Sequence, residues 1–197
     1  MRPDAILVRH GETEWTISGQ HTGRTDVPLT EAGRQQAKLL GGVLGALVTD
    51  EPFALVLTSP LSRAMETCQL AGLGDEIQAR DDLREWDYGD YEGRRTADIR
   101  ETRPGWLLWT DGVPGGETIS EVAARTDRVI AEIRAASGPV AVFAHGHLLR
   151  VLAARWLEVD PSFGGRLALS PASVSRLAWE REQPVIDLWN TRAHLSP

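Results

Sequence analysis

Residues 5–11 of the chain read AILVRHG, four apolar residues followed at once by an arginine, a histidine and a glycine. Two later stretches have the same design. FALVL (53–57) leads into Thr58-Ser59-Pro60, and VAVFA (140–144) leads into His145-Gly146-His147. Short continuous apolar runs are typical of strands that are buried on both faces. The three runs therefore predict buried strands of a mainly parallel sheet.

Segments with helical periodicity separate and follow these strands. Thr30 is predicted to cap a helix that runs toward Val48, and Ser59 and Pro60 to be the N-cap and first residue of a helix through Leu70. The other predicted elements are helices around 119–133 and 148–157 and strands over 173–179 and 185–189. Strands that alternate with helices predict an α/β fold, a three-layer α/β/α sandwich with a mainly parallel central sheet.

The length of 197 residues fits a single domain, 1–197, with no internal repeat or linker. Residues 75–116 interrupt the alternation, because they are rich in charge, glycine and aromatic side chains. In a compact domain such an insertion usually forms a pocket wall or a lid. An irregular surface excursion is the alternative.

Composition excludes several classes of protein. The 21 basic and 28 acidic residues give a net charge of −7, which argues against binding to nucleic acid or to an anionic membrane but not against a small anionic substrate. Cys68 is the only cysteine, so an intrachain disulfide and a cysteine-based zinc site are excluded. The run 5–8 is too short for a signal peptide, and no run reaches the ~18 apolar residues of a membrane span. We expect a soluble, cytoplasmic protein.

Polar side chains follow each of the three buried strands. In open α/β sheets, ligands bind outside the carboxyl ends of the strands, so Arg9, His10, Arg63 and His145 should share one rim. Helix N-termini at this rim should add backbone N–H donors that suit an anion. Arginine forks bind phosphate oxygens in a bidentate manner. The sequence therefore predicts a phosphate site.

The residue types at this rim also suit phosphoryl transfer. A neutral histidine can attack phosphorus, and neighbouring cations lower its pKa and keep it unprotonated. A second histidine can donate hydrogen bonds to the equatorial oxygens as charge develops there. The leaving alkoxide needs a proton, for which Glu85 in its aromatic segment is the candidate donor. A metal held by His145 and His147 is disfavoured, because the arginines would repel a dication.

The stretch LVRHGET (7–13) resembles the signature of the histidine phosphatase superfamily, the phosphoglycerate-mutase-like proteins. Five further stretches resemble motifs of this family in the same order: TGRTDVPLT (22–30) with GRQQA (33–37), SPLSRA (59–64), EWDYG (85–89) with Glu92-Gly93, PGGET (114–118) and AHGH (144–147). The resemblance covers residues 6–150 and implies a phosphoglycerate-mutase-like fold.

The resemblance also implies roles for individual residues. His10 would be phosphorylated during the cycle, with Glu85 as proton donor. The phosphate pocket around His10 would consist of Arg9, Arg63 and His145. The residues expected to bind substrate are Thr22, Gly23, Arg24, Tyr88 and Gly146. No metal and no cofactor is implied.

Two positions distinguish the branches of this family. Mutases carry a lysine eleven residues after the acid, where this chain has Thr96, and an asparagine after the first motif, where Thr16 follows Trp15. The motifs instead resemble the branch of bacterial acid phosphatases and sedoheptulose-bisphosphatase-like enzymes. The expected function is a metal-independent phosphomonoesterase of the acid phosphatase type, acting on small phosphorylated metabolites through phospho-His10. A cofactor-dependent phosphoglycerate mutase and a non-catalytic phospholigand-binding protein are the alternatives.

The substrate is less well defined. The aromatic residues Trp86, Trp106 and Trp109 suggest a broad, partly apolar mouth. A second anionic group, as in a sugar bisphosphate, could meet the following arginines: Arg24, Arg84, Arg94 and Arg95. Members of the family often pair, so a homodimer is also compatible with the resemblance.

Overall fold

The computed structural model describes residues 2–47 and 52–195. Within these residues one mixed sheet contains β1 (Ala5–Arg9), β2 (Leu55–Thr58), β3 (Ile77–Ala79), β4 (Val140–Ala144), β5 (Val174–Glu180) and β6 (Gln183–Thr191). The strand order is β3-β2-β4-β1-β5-β6. The first four strands in this order are parallel, and β5 and β6 are antiparallel to their neighbours. The prediction of a mainly parallel sheet is confirmed.

The three strands with the apolar runs lie side by side, β4 in the middle. Their register pairs Arg9 with Ala144 and Thr58 with Phe143, so the three carboxyl ends meet at one edge. The chain stays in register for one more residue on either side: His10 N donates to Ala144 O and Ser59 N to Phe143 O. The predicted convergence of these strand ends is therefore confirmed.

Helices cover both faces of the sheet. The helices of the described residues are α1 (Glu14–Ser18), α2 (Glu31–Leu47), α3 (Ser62–Cys68), α4 (Thr96–Thr102), α5 (Leu108–Asp111), α6 (Ile119–Ala135) and α7 (Gly146–Trp156). Alternate residues of β1 point to opposite sides. Leu7 packs in the core that α6 and α7 complete, whereas Ile6 and Val8 pack with α2 and α3. This arrangement confirms the three-layer sandwich.

One predicted helix start is wrong. Pro60 precedes α3, which begins at Ser62 with Leu61 as N-cap. Ser59 continues the edge of β2 instead, and the amide of Ser62 donates to the carboxylate of Asp26 at 2.9 Å. The helix also ends at Cys68 and passes into a π-helical turn, 69–73, so the predicted continuation through Leu70 is not α-helical.

Other boundaries differ by a few residues. Thr30 caps α2 as predicted, since its Oγ1 accepts from Gly33 N at 3.0 Å, while Val48 lies outside the described residues. The second strand starts two residues later than predicted, and α7 starts two residues earlier. The short strand β3 was not predicted, because its three residues, partly exposed, carry no apolar run.

Residues 75–116 contain β3, α4, α5 and several 3₁₀ turns. The side chains of Trp86 and Trp106 are buried in the core on the α6 and α7 side, and only Trp109 is partly exposed. The expected apolar mouth formed by all three tryptophans is therefore wrong, because two of them fill the core. The role of this segment as a pocket wall, and the single domain over 1–197, remain predictions.

Candidate active site

His10 lies directly after β1 and is almost completely buried. Its Nδ1 is 2.7 Å from the carbonyl oxygen of Gly11, and because a carbonyl only accepts, Nδ1 carries the hydrogen. The neutral ring therefore keeps its lone pair on Nε2. Burial lowers the pKa of His10 well below its usual range, and the cations of Arg63 and Arg9 lower it further. The arginines act as the sequence predicts, although burial is the larger cause.

Gly11 holds the turn after His10 against the start of α2. A Cβ atom on Gly11 would lie 2.5 Å from the carbonyl oxygen of Gly33, so no larger residue fits. The amide of Gly11 donates to Thr67 Oγ1 on α3 at 3.1 Å. The turn that presents His10 is thus anchored to two helices on the same side of the sheet.

His145 follows β4 and faces His10, with 5.2 Å between the ring centroids. Arg63 Nε donates to His145 Nδ1 at 3.2 Å, which assigns the ring hydrogen to Nε2. This Nε2–H lies 2.7 Å from Ser59 Oγ. Burial, followed by the charge of Arg63, lowers the pKa of His145 well below its usual range. His145 is therefore a neutral donor.

Arg63 is fully buried and binds the loop that precedes α2. Its Nη1 donates to Thr25 O at 2.9 Å, and its Nη2 donates to Thr22 O at 3.2 Å and Gly23 O at 3.1 Å. Together with the bond to His145, four of the five N–H groups are used. The Arg63 guanidinium thus connects the loop before α2 to the imidazole of His145.

Arg9 reaches the same region from the end of β1. Its Nη1 donates to the carbonyl oxygen of Leu169, and a Cβ atom on Gly146 would lie 3.2 Å from its Cζ. Its buried Nε has no hydrogen-bond partner within the described ranges. Gly146 is therefore the residue that makes room for this guanidinium.

Glu85 is buried and joins the site from the 75–116 segment. Its Oε1 accepts from the amides of Trp86 at 2.9 Å and Leu148 at 2.8 Å, and its Oε2 accepts from the amide of His147 at 3.0 Å. The carboxyl group thereby closes the N-terminus of α7. The helix N-termini therefore have fewer free N–H donors than expected, since Glu85 occupies the amides of His147 and Leu148 in α7 and Asp26 occupies the amide of Ser62 in α3.

A cavity of about 100 Å³ adjoins Glu85. Its lining consists of Gly23, Arg24, Leu61, Asp81, Arg84, Glu85, Asp87, Glu117 and Arg125. Gly23 is required there, because a Cβ atom would lie 2.6 Å from the carbonyl oxygen of Trp86. Of the residues predicted to bind substrate, Gly23 and Arg24 line this cavity, whereas Thr22, Tyr88 and Gly146 lie outside its lining.

Only two of the four arginines expected to contact a second anionic group lie at this cavity. Arg24 and Arg84 line the cavity, while Arg94 and Arg95 do not. The two lining residues also contact carboxylates: Arg24 is 2.7 Å from Asp87 and Arg84 is 2.8 Å from Asp81. Both arginines are exposed enough to reach a bound ligand.

Tyr88 and His147 form a hydrogen-bonded pair beside the site. The Tyr88 hydroxyl is 2.6 Å from His147 Nδ1, and the His147 ring packs against Trp109 and His21. Burial raises the pKa of Tyr88 well above its usual range, and lowers that of His147 well below its own. Both groups are therefore neutral at physiological pH.

Sequence reasoning missed Ser59 as a partner of His145 and missed Arg125, whose guanidinium contacts Glu117 and the backbone around Glu85. A signal for Arg125 was present. It lies three residues after Val122 and four before Val129, so a charged side chain occupies the buried face of α6.

The described residues contain neither a cluster of metal-ligating side chains nor a helix suited to span a membrane. Within 2–47 and 52–195, no three His, Cys, Asp or Glu side chains come together as a metal site requires. No helix in these ranges combines the length and apolar character needed to span a bilayer.

Comparisons with known proteins agree with this geometry. Residues 5–192 match the model of the histidine phosphatase superfamily, branch 1. An acid phosphatase of Mycobacterium tuberculosis is 40% identical over 195 residues, which is 98% of this chain and 94% of that protein. The sedoheptulose 1,7-bisphosphatase of Saccharomyces cerevisiae is 39% identical over 184 residues, 79% of this chain and 68% of that enzyme.

A solved structure shows the same architecture. The product of an open reading frame of Mycobacterium tuberculosis superposes with a TM-score of 0.90 at 39% identity, covering 96% of this chain and 98% of that one. The match to the family model spans nearly the whole chain. The alignment with the acid phosphatase covers most of the length of that protein as well. This chain belongs to the histidine phosphatase superfamily, branch 1.

Proposed function

We propose that this protein is a phosphomonoesterase that hydrolyses small phosphorylated metabolites through a phosphohistidine on His10. One observation carries the proposal. A neutral, buried histidine presents its Nε2 lone pair beside two arginines and a second neutral histidine, at the edge where three strands end. Nucleophile and phosphate-binding cations are thus combined in one place.

In the first step, His10 Nε2 attacks phosphorus and the ester P–O bond breaks. The electron pair leaves with the alkoxide, which takes the proton of Glu85. Arg9 and Arg63 stabilise the charge on the equatorial oxygens, and His145 joins them when its Nε2–H exchanges Ser59 Oγ for a phosphate oxygen. The bond from His10 Nδ1 to Gly11 O keeps the ring oriented throughout.

In the second step, water attacks the phosphorus of phospho-His10. The bond between phosphorus and Nε2 breaks, and the electron pair returns to the imidazole. Glu85, now a carboxylate, accepts a proton from the water and recovers its starting state. Inorganic phosphate then leaves, so the cycle consumes one ester and one water.

The mutase alternative would deliver the phosphoryl group to a bound phosphoglycerate instead of water. It is less favoured, because Thr96 occupies the place of the carboxylate-binding lysine, and because the relatives at 40% and 39% identity described above are named an acid phosphatase and a bisphosphatase. A non-catalytic sensor is disfavoured since it has no need of a nucleophile and a proton donor. A sugar phosphate or bisphosphate is our proposed substrate class, with Arg24 and Arg84 at the cavity as contacts for a second anion. A cytoplasmic location and a homodimer remain predictions.

Hydrolysis of p-nitrophenyl phosphate in EDTA tests the proposed function. We expect wild-type protein to release phosphate at the same rate with and without the chelator, because His10 and the arginines supply the nucleophile and the charge. Loss of activity in EDTA would contradict metal independence. No release under either condition would favour the mutase, which 3-phosphoglycerate with added bisphosphoglycerate would then reveal.

The pH dependence should follow the ionisation of His10. Because burial and the arginines lower its pKa, the nucleophile stays neutral when the pH falls through 6.5, the ordinary value for histidine. Activity should therefore persist into the mildly acidic range. An NMR titration of the His10 ring checks this without interference from ionisation of the substrate. Protonation of the ring near pH 6.5 would refute the prediction.

A further inference from the structure

We infer that Arg125 is a positioning residue, which holds the backbone of residues 82–87 so that Glu85 meets the leaving group in the correct place. The inference rests on the proposed function, in which Glu85 donates the proton. Arg125 lies on α6, and its guanidinium is almost completely buried. Neither the family signature nor the predicted site residues include it.

All five N–H groups of Arg125 have an acceptor. Its Nη1 donates to Asp82 O at 2.8 Å and Arg84 O at 2.6 Å, and its Nη2 donates to Glu85 O at 3.1 Å. The remaining two donors, on Nε and Nη2, form a fork with the Glu117 carboxylate at 2.8 and 2.9 Å. No donor is left for a substrate, so Arg125 acts through the residues it holds.

Glu117 extends the support to the other side of Glu85. Its Oε2 accepts from Asp87 N at 2.9 Å, its carbonyl accepts from Trp86 Nε1 at 2.8 Å, and its amide donates to Asp87 O at 3.0 Å. The backbone on both sides of Glu85 is therefore bound to the Arg125–Glu117 pair.

Glu85 is consequently fixed at two ends. Its carbonyl oxygen accepts from Arg125 on α6, while its carboxyl group accepts from the amides of His147 and Leu148 on α7. A shift of the backbone would move the carboxyl oxygens away from a leaving group, and misplacement by about 1 Å is costly for a catalytic group. Replacement of a largely buried ion pair by apolar side chains is often neutral or stabilising, so the Arg125–Glu117 pair is weak evidence for a role in stability alone. We therefore infer that the role of Arg125 is to position the carboxyl group of Glu85.

Arg125→Met provides the test, since methionine fills space but donates no hydrogen bond. Two substrates are compared: glycerol phosphate, whose alkoxide needs a proton, and dinitrophenyl phosphate, whose leaving group does not. We expect kcat/KM for glycerol phosphate to fall about 100-fold, and that for dinitrophenyl phosphate to change by less than about 3-fold. Glu85→Gln should give the same selective loss, and its size is the reference for the loss in Arg125→Met.

Arg128→Met is the matched control. Arg128 lies one turn further along α6 and contacts the Asp82 carboxylate at 2.6 Å, but its side chain is 63% exposed. It holds no carbonyl group next to Glu85, so both substrates should be hydrolysed at wild-type rates. Should Arg125→Met fail to fold, Arg125→Lys keeps the charge and loses the fork, and it should show the same selectivity.

The outcomes separate the inference from the proposed function. Equal losses on both substrates, or wild-type rates on both, would overturn the positioning role of Arg125 if Glu85→Gln is selective. If Glu85→Gln is not selective, the acid is misassigned and the inference falls with it. Failure of wild-type protein to hydrolyse either substrate would instead overturn the proposed function.

Discussion

Replacement of His10 by alanine is expected to reduce phosphate release by a factor on the order of 10⁴ or more, because the covalent route is lost and water must attack the ester directly. Two main-chain hydrogen bonds hold His10 in place for this role: the His10 amide donates to Ala144 O, and the His10 carbonyl accepts from Ala172 N. Alanine retains both contacts, so the fold should survive the substitution.

The measurement for His10 combines kinetics with detection of the intermediate. Wild-type protein quenched in alkali during turnover should carry one phosphoryl group on His10 by mass spectrometry, and His10→Ala should carry none. His194→Ala is a suitable control, since His194 lies in the 3₁₀ turn 193–195 and not among the groups that face the phosphate. Phosphorylation of His10→Ala, or an equal loss of activity in His194→Ala, would contradict the assignment.

Replacement of Arg63 by methionine should lower kcat/KM by about 10³-fold, the order found when a cation on a transferring phosphoryl group is removed. The substitution also leaves His145 Nδ1 and the carbonyls of Thr22, Gly23 and Thr25 without their donor. Buried acceptors without partners are unfavourable, so the free energy of unfolding should fall by about 3 kcal/mol.

The loss of the Arg63 charge has a further signature. Since this cation lowers the pKa of His10, its removal should raise that pKa, and the pH at which the nucleophile becomes protonated should rise with it. Steady-state kinetics, chemical denaturation and the NMR titration measure the three effects. Arg34→Met is the control, because Arg34 is partly exposed and pairs with Glu66 at 2.6 Å outside the site. An Arg63→Met protein with wild-type kinetics would refute the phosphate-binding role.

The local pattern of the sequence determined the architecture and the central part of the site. Apolar runs and the polar residues directly after them are neighbours in the chain, so their order identifies strands, and parallel strands bring their carboxyl ends together. Arg9, His10 and His145 follow from this reasoning without any knowledge of distant contacts. Arg63 follows from its place after the second strand, whereas Glu85 was assigned with more help from the resemblance to a known family.

The start of α3 shows where local signals fail. Ser59 and Pro60 have the residue types of an N-cap and a first helical residue. The hydroxyl of Ser59 instead lies 2.7 Å from His145 Nε2, 86 residues away, and the first amide of the helix is bound by Asp26. These long-range contacts outweigh the local preference, and the helix therefore begins at Ser62.

Only the tertiary structure decided which groups face one another. The carboxyl group of Glu85 binds α7 across 62 and 63 residues of sequence, and Arg125 binds the Glu85 carbonyl across 40. The hydrogen-bearing nitrogens of His10 and His145 are likewise set by their hydrogen-bond partners in the folded chain. Periodicity and spacing report the backbone conformation of a few neighbouring residues, whereas burial, charge and hydrogen-bond direction depend on groups that meet only when the sheet and its helices have packed.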